Sequence, residues 1–172
     1  MFKKLSLLLI LGACSTASFA ESTVGFSLSR EHADIGNIAS FNIYSQFTDS
    51  RTNFGYQLGT GLSAAEITDY DGYVDHYTAW EGFGRIGFFS DVSLYLEAGI
   101  DIGEMLWLDD DHHHDHYYDE HHNDVDNFIG AGFGLSQDHF DLRVFSRYRY
   151  IDGYNLHDNQ DVFTGVEFSL HF

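Results

Sequence analysis

Apolar and polar residues alternate with a period of two along most of this chain, and no sustained 3.6-residue apolar period follows the N-terminal segment. The clearest run is "VSLYLEAGIDIG". Val92, Leu94, Leu96, Ala98, Ile100 and Ile102 share one face, and Ser93, Tyr95, Glu97, Gly99, Asp101 and Gly103 share the other. In "FDLRVFSRYRY", Phe140, Leu142, Val144, Ser146, Tyr148 and Tyr150 oppose Asp141, Arg143, Phe145, Arg147 and Arg149. In "VFTGVEFSLHF", Val162, Thr164, Val166, Phe168, Leu170 and Phe172 oppose Phe163, Gly165, Glu167, Ser169 and His171. Residues 23–30, 38–47, 53–65, 77–89 and 127–136 fit the same template, the run 77–89 least cleanly because Gly82 and Gly84 fall on its apolar face. The pattern predicts eight strands and almost no helix, each strand about 9–12 residues long, enough to cross a bilayer when tilted.

The links between these strands alternate in length. Short ones, "TDSRT", "SD" and "QDH", follow the second, fourth and sixth strands. Longer ones follow the first, third, fifth and seventh: around "EHADIG", "EITDYDGYVDH", "DDDHHHDHYYDEHHND" and "IDGYNLHDNQ". Short turns at one end and long loops at the other suit a barrel whose turns are periplasmic and whose loops are extracellular.

Alternation alone leaves open which face looks outward, since a soluble lipocalin-like barrel also has eight strands, apolar inside and polar outside. Three features favour the apolar-out version. Gly55, Gly59, Gly61, Gly99, Gly103, Gly130, Gly132, Gly134 and Gly165 crowd the polar face, where a narrow interior has little room; on a wet surface they would only weaken the sheet. Aromatics on the apolar face gather at strand ends, with Phe47, Phe54, Phe88, Phe140 and Phe172 at the short-turn rim and Trp80, Tyr148 and Tyr150 towards the other. No charge falls on the apolar face in the middle of a strand. The fold class expected is all-β, an eight-stranded antiparallel up-and-down transmembrane β-barrel.

The first twenty residues, "MFKKLSLLLILGACSTASFA", have the form of a secretory signal: Lys3 and Lys4, an apolar run from Leu5 to Leu11, and a small-x-small site at Ser18–Ala20. Residues 1–20 are thus read as a signal peptide and 21–172 as one barrel domain, exported through the periplasm. "LGAC" also resembles a lipobox, which would instead make Cys14 a lipidated first residue. Cys14 is the sole cysteine, so an intramolecular disulfide is excluded; cleavage after Ala20 would also exclude thiol catalysis and cysteine-built zinc sites.

Charge narrows the partners. Without Lys3 and Lys4, six arginines stand against twenty-seven carboxylates, a formal charge of −21. Such a chain should not bind nucleic acid through its phosphates; its small partners are cations. Aromatic content of 17% and regular alternation argue against acidic disorder, and the absence of proline suits uninterrupted strands.

The C-terminal "VEFSLHF", with alternating large apolar residues and a final Phe172, resembles the signal read by the outer-membrane barrel assembly machinery, and "RYRYIDG" is similar to the penultimate strand of many small barrels. Over residues 21–172 the chain resembles the OmpA/OmpX/opacity-type eight-stranded barrels. The resemblance implies an integral protein of a Gram-negative outer membrane, with outer-membrane lipid, lipopolysaccharide and the assembly machinery as its surroundings. The family includes adhesins, structural anchors and lipid-modifying enzymes, so no single activity is implied.

Three groups of residues could carry chemistry. The first is the acidic loop 109–126. Within "DDDHHHDHYYDEHHND" stand six histidines and seven carboxylates, and His112, His113, His114, Asp115, His116, Asp119, Glu120, His121 and His122 are the candidate ligands for zinc or another divalent cation. His112, His114 and His116 alternate, so an extended segment would project them to one side, and His121 and His122 could return from the other arm. With His32, His76 and His157 in the other long loops, nine of the eleven histidines fall on one side of the expected membrane. The competing reading is a solvated loop with no ligand. An EF-hand is excluded, because the sixth position lacks glycine.

The second group is the lumen: Arg85, Arg143, Arg147 and Arg149 share inward parity with Glu81, Glu97, Asp101, Asp141 and Glu167, and are expected to pair and fill the barrel. The third is a lipid A-modifying site at the loop-side rim, where Ser63, Glu66, His76, His157 and Asp161 fall. No triad-like spacing joins them, so the chain is not expected to be an enzyme. The function expected is a surface barrel capturing or sensing divalent metal, with a structural or adhesive barrel as the alternative.

Overall fold

The structure, a computed structural model, describes residues 20–68, 72–107, 125–151 and 160–172. Eight strands follow in chain order: β1 (Ala20–Ala33), β2 (Gly36–Asp49), β3 (Phe54–Thr68), β4 (Val74–Phe88), β5 (Val92–Asp101), β6 (Asn127–Gln137), β7 (Phe140–Tyr150) and β8 (Gln160–His171). Each pairs antiparallel with its sequence neighbour, and β1 pairs with β8 to close the barrel. Closure leaves no lateral sheet edge around the middle of the wall, as a barrel in lipid requires.

The parity is that of an inside-out protein. Leu62, Leu94, Leu96 and Ile129 are 60–64% exposed, while their immediate neighbours Ser63, Ser93, Tyr95, Glu97 and Phe128 are buried. Apart from Arg30, which faces outward between Ala39 and Val166, this outer face is a band of largely apolar side chains; it far exceeds what a water-soluble monomer exposes, and it is suited to lipid. At the short-turn rim, Phe54 and Phe88 meet edge to face with centroids 5.3 Å apart, and Phe140 stacks on Phe168 at 6.2 Å. At the other rim the exposed ring of Trp80 keeps its indole N–H satisfied by donating to Thr60 Oγ1 (2.8 Å).

Three details differ from the sequence reading. First, β1 and β2 run on to Ala33 and Gly36 and are joined by Asp34 and Ile35 alone, so the link around "EHADIG" is a tight hairpin rather than a long loop. The alternation persists through Glu31 and Ala33, which is why the strand does not stop at Arg30. Secondly, β5 ends at Asp101, and Ile102–Trp107 form a short helix, α1, where alternation had carried the strand to Gly103. Asp101 Oδ1 accepts the N–H groups of Gly103 (2.7 Å) and Glu104 (3.2 Å), the bonds of a helix N-cap. Thirdly, the interior towards the long-loop end is apolar: Ala33, Ile38, Ala65, Ile67, Ile151 and Phe163 form a buried cluster there, with Ile35 and Tyr77 packed against it.

Candidate functional site

The lumen is built in tiers. The wall carries glycines where a neighbouring strand sends a ring inward. A Cβ at Gly132 would lie 2.3 Å from the Tyr95 ring, and one at Gly59 would lie 2.4 Å from the ring of Phe83. Both are directly paired residues on adjacent strands, and Gly25–Tyr44, Gly99–Phe128 and Gly165–Phe145 repeat the arrangement. The glycines therefore make room for flat-lying aromatics.

Guanidinium groups stack on those rings. Arg85 lies 4.9 Å from the centroid of Phe83 and 5.0 Å from that of Tyr95, and Arg147 lies 4.5 Å from Phe128 and 4.3 Å from Phe145. At these distances a desolvated cation is attracted by the ring face. The four arginines then interleave with five carboxylates in one column: Asp141, Arg143, Glu167, Arg85, Glu97, Arg147, Glu31, Arg149 and Glu81. Arg85 grips Glu167 with two bonds (2.8 and 2.6 Å) and also donates to Glu97 (2.9 Å) and Gln57 (2.8 Å). Arg147 donates to Glu97 and Glu31, and Arg149 donates to Glu31 (2.7 Å from each of two nitrogens) and Glu81 (2.6 Å). Every arginine in the column bridges two acids. That is the condition under which buried charge is tolerable.

All four arginines and all five carboxylates placed inward by parity are buried. Asp101 is spent on capping α1, whereas Glu31, fully buried and shared by Arg147 and Arg149, takes a place in the column that sequence reasoning missed. At the long-loop end of the column the apolar cluster packs beside it, with Phe163 paired to Arg147 and Ile38 to Glu31. At the short-turn end a cavity of about 340 Å³ is lined by Thr23, Gln46, Ser93, Asp141, Arg143 and His171, among others. The described interior is packed rather than open.

At the long-loop rim the candidates separate. His112, His113, His114, Asp115, His116, Asp119, Glu120, His121 and His122 lie outside the described residues, as does His157. His32 and His76 are exposed at this rim, His32 with its Nδ1 3.0 Å from Asn37 Oδ1. Among the described residues no group of three or more His, Cys, Asp or Glu side chains is arranged to hold a metal ion. The enzyme candidates are divided by parity. Ser63 faces inward, donating to Glu81 (2.7 Å) beside Ser40 (2.9 Å), while its neighbours in sequence terms, Glu66 and His76, are paired across β3 and β4 on the outer face. A nucleophile and base on opposite sides of one wall cannot meet.

Fold, wall and lumen together define a transmembrane β-barrel with a plugged interior. Its fold is that of the Yersinia pestis outer membrane protein Ail, solved in phospholipid bilayer nanodiscs: the two match with a TM-score of 0.50 over 88% of this chain and 100% of that one, at 14% sequence identity. No family model matches the chain, and neither does any curated protein sequence.

Proposed function

We propose that this chain is an integral surface protein of a Gram-negative outer membrane whose histidine- and aspartate-rich loop captures or senses a divalent transition metal such as zinc. The observation that carries the reading is topological. The connection that holds the six clustered histidines leaves the barrel at α1 and re-enters at Val125, on the same rim as His32 and His76, with a buried apolar cluster in the lumen beneath. Metal would therefore be held outside the barrel and not conducted through it. Neutral imidazoles are the ligands suited to zinc, copper or nickel, and carboxylates of the same segment can complete the shell. The surroundings implied are outer-membrane lipid and lipopolysaccharide, with the assembly machinery needed for insertion. No catalytic role is proposed.

Zinc titration of the folded barrel tests this, beside a variant with His112, His113, His114, His116, His121 and His122 changed to Asn. The expected result is a loss of affinity of about tenfold or more, since the imidazoles proposed to ligate the metal are removed. Equal affinities would remove the loop from consideration. A second reading is a structural or adhesive barrel with no metal role, in which the acidic loop is only a solvated surface segment. An unchanged amount of the protein on zinc starvation would support it.

A further inference from the structure

The outer wall is stepped. β3 and β4 stay paired up to Thr68 and Val74, whereas β5 pairs with β4 only as far as Asp101, and with β6 only from Ile100 and Asn127 downward. The lipid-facing side chains of β5 run from Val92 to Ile100. At ~3.3 Å per residue and a tilt of about 40° that stretch covers roughly 20 Å, less than the apolar band of about 25 Å such barrels present. The missing height falls where α1 begins.

α1 begins at the long-loop rim with Ile102 on the outer face of β4. Glu81 and Phe83 point inward, so Gly82 between them faces out, and the space its absent side chain leaves is filled by Ile102: a Cβ at Gly82 would sit 2.5 Å from the Ile102 terminal methyl. Gly82, one of the two glycines that interrupt the apolar face of β4, thus has a use as the seat of the helix. Two backbone anchors hold its root. Asp101 N–H donates to the Asp126 carbonyl (2.8 Å), and Asp126 N–H donates to Glu104 Oε2 (2.8 Å). The polar group of the helix is therefore turned to the neck of the loop, while Met105 (48%) and Leu106 (55%) remain exposed, three and four residues on from the outward Ile102 and so on its side of the helix.

We propose that α1 is an interfacial helix whose Met105 and Leu106 rest in the acyl chains of the outer leaflet, completing the lipid-facing wall above β5 and fixing the root of the acidic loop at the membrane surface. The occupant follows from continuity: the helix prolongs a wall that already requires lipid, with no charged side chain on its exposed face. This inference is independent of whether the loop binds metal.

The test uses Met105→Cys and Leu106→Cys in the full chain carrying Cys14→Ser. Leu96→Cys serves as a wall reference and Asp49→Cys as a turn reference. Each thiol is labelled with an environment-sensitive fluorophore, and the folded barrel is reconstituted in phosphatidylcholine vesicles with or without brominated acyl chains. The expected result is bromine quenching at both positions within about twofold of the Leu96 reference, with iodide access about fivefold or more below that of Asp49. Iodide quenching equal to that of Asp49 would overturn the proposal by leaving the helix in water. Quenching by neither agent would overturn it too, by showing a second copy or another protein on the helix. Both side chains are exposed, so either variant suffices if the other fails to fold.

Discussion

Replacing Arg85 with Met is the sharpest perturbation of the lumen. The Arg85 side chain is fully buried and donates to Glu97, Gln57 and both oxygens of Glu167, while its guanidinium covers Phe83 and Tyr95. Methionine keeps much of the length and removes every donor. Losing one partner of a buried pair costs about 3–5 kcal/mol, because the other charge stays buried. Here Glu97 retains Arg147 and Glu167 retains Arg143, so the lower end of that range applies, ~3 kcal/mol. Removing Glu167 as well relieves part of the imbalance, and Arg85→Met with Glu167→Met should be less destabilising than the two single changes summed by ~1.5 kcal/mol. The assay is urea unfolding in phosphatidylcholine vesicles, followed by tryptophan fluorescence and by the gel shift between folded and unfolded barrels. A stability within ~0.5 kcal/mol of the parent, like that expected of the exposed turn variant Arg51→Met, would refute the column as a cohesive element.

Gly132→Ala drives a methyl into the ring of Tyr95 and should destabilise the barrel by ~1–3 kcal/mol in the same unfolding assay, with partial rescue by Tyr95→Leu. Asp101→Ala removes the acceptor for Gly103 and Glu104; a loss of ~1 kcal/mol is expected, together with faster amide hydrogen exchange in α1. Zinc affinity of the loop should fall steeply below about pH 6, because imidazoles of reference pKa about 6.5 must be neutral to bind. Calorimetric titration at stepped pH checks this, and a flat profile would point to carboxylates alone.

Much of the barrel is legible from parity because one wall has two unlike solvents: lipid selects Leu94, Leu96 and Leu142, while the crowded lumen selects glycine, serine and paired charge. What escaped lies where parity and residue type disagree. Glu31 lies one residue past the run 23–30, although Ser27, Ser29, Glu31 and Ala33 continue one face. Ile38, Ile67 and Phe163 are apolar yet inward, since they pack within the lumen rather than meet lipid. The helix was hidden by Ile102 and Gly103, which prolong the alternation of β5; Asp101 followed three residues later by Glu104 is the capping spacing that could have revealed it. The roles of the lumen arginines were readable, but their partners were not, because Arg85 and Glu167 are far apart in sequence and meet only when the barrel closes.

The large apolar side chains face lipid while rings, guanidiniums and carboxylates fill the interior. Solubility of residues 21–172 decides this orientation most directly. The folded barrel should hold its resistance to urea and its compact gel mobility in detergent micelles or bilayers, and should precipitate when the amphiphile is withdrawn. A monomeric, natively folded chain in plain aqueous buffer would contradict the account, since Leu62, Leu96 and Ile129 could not then stand on the outside.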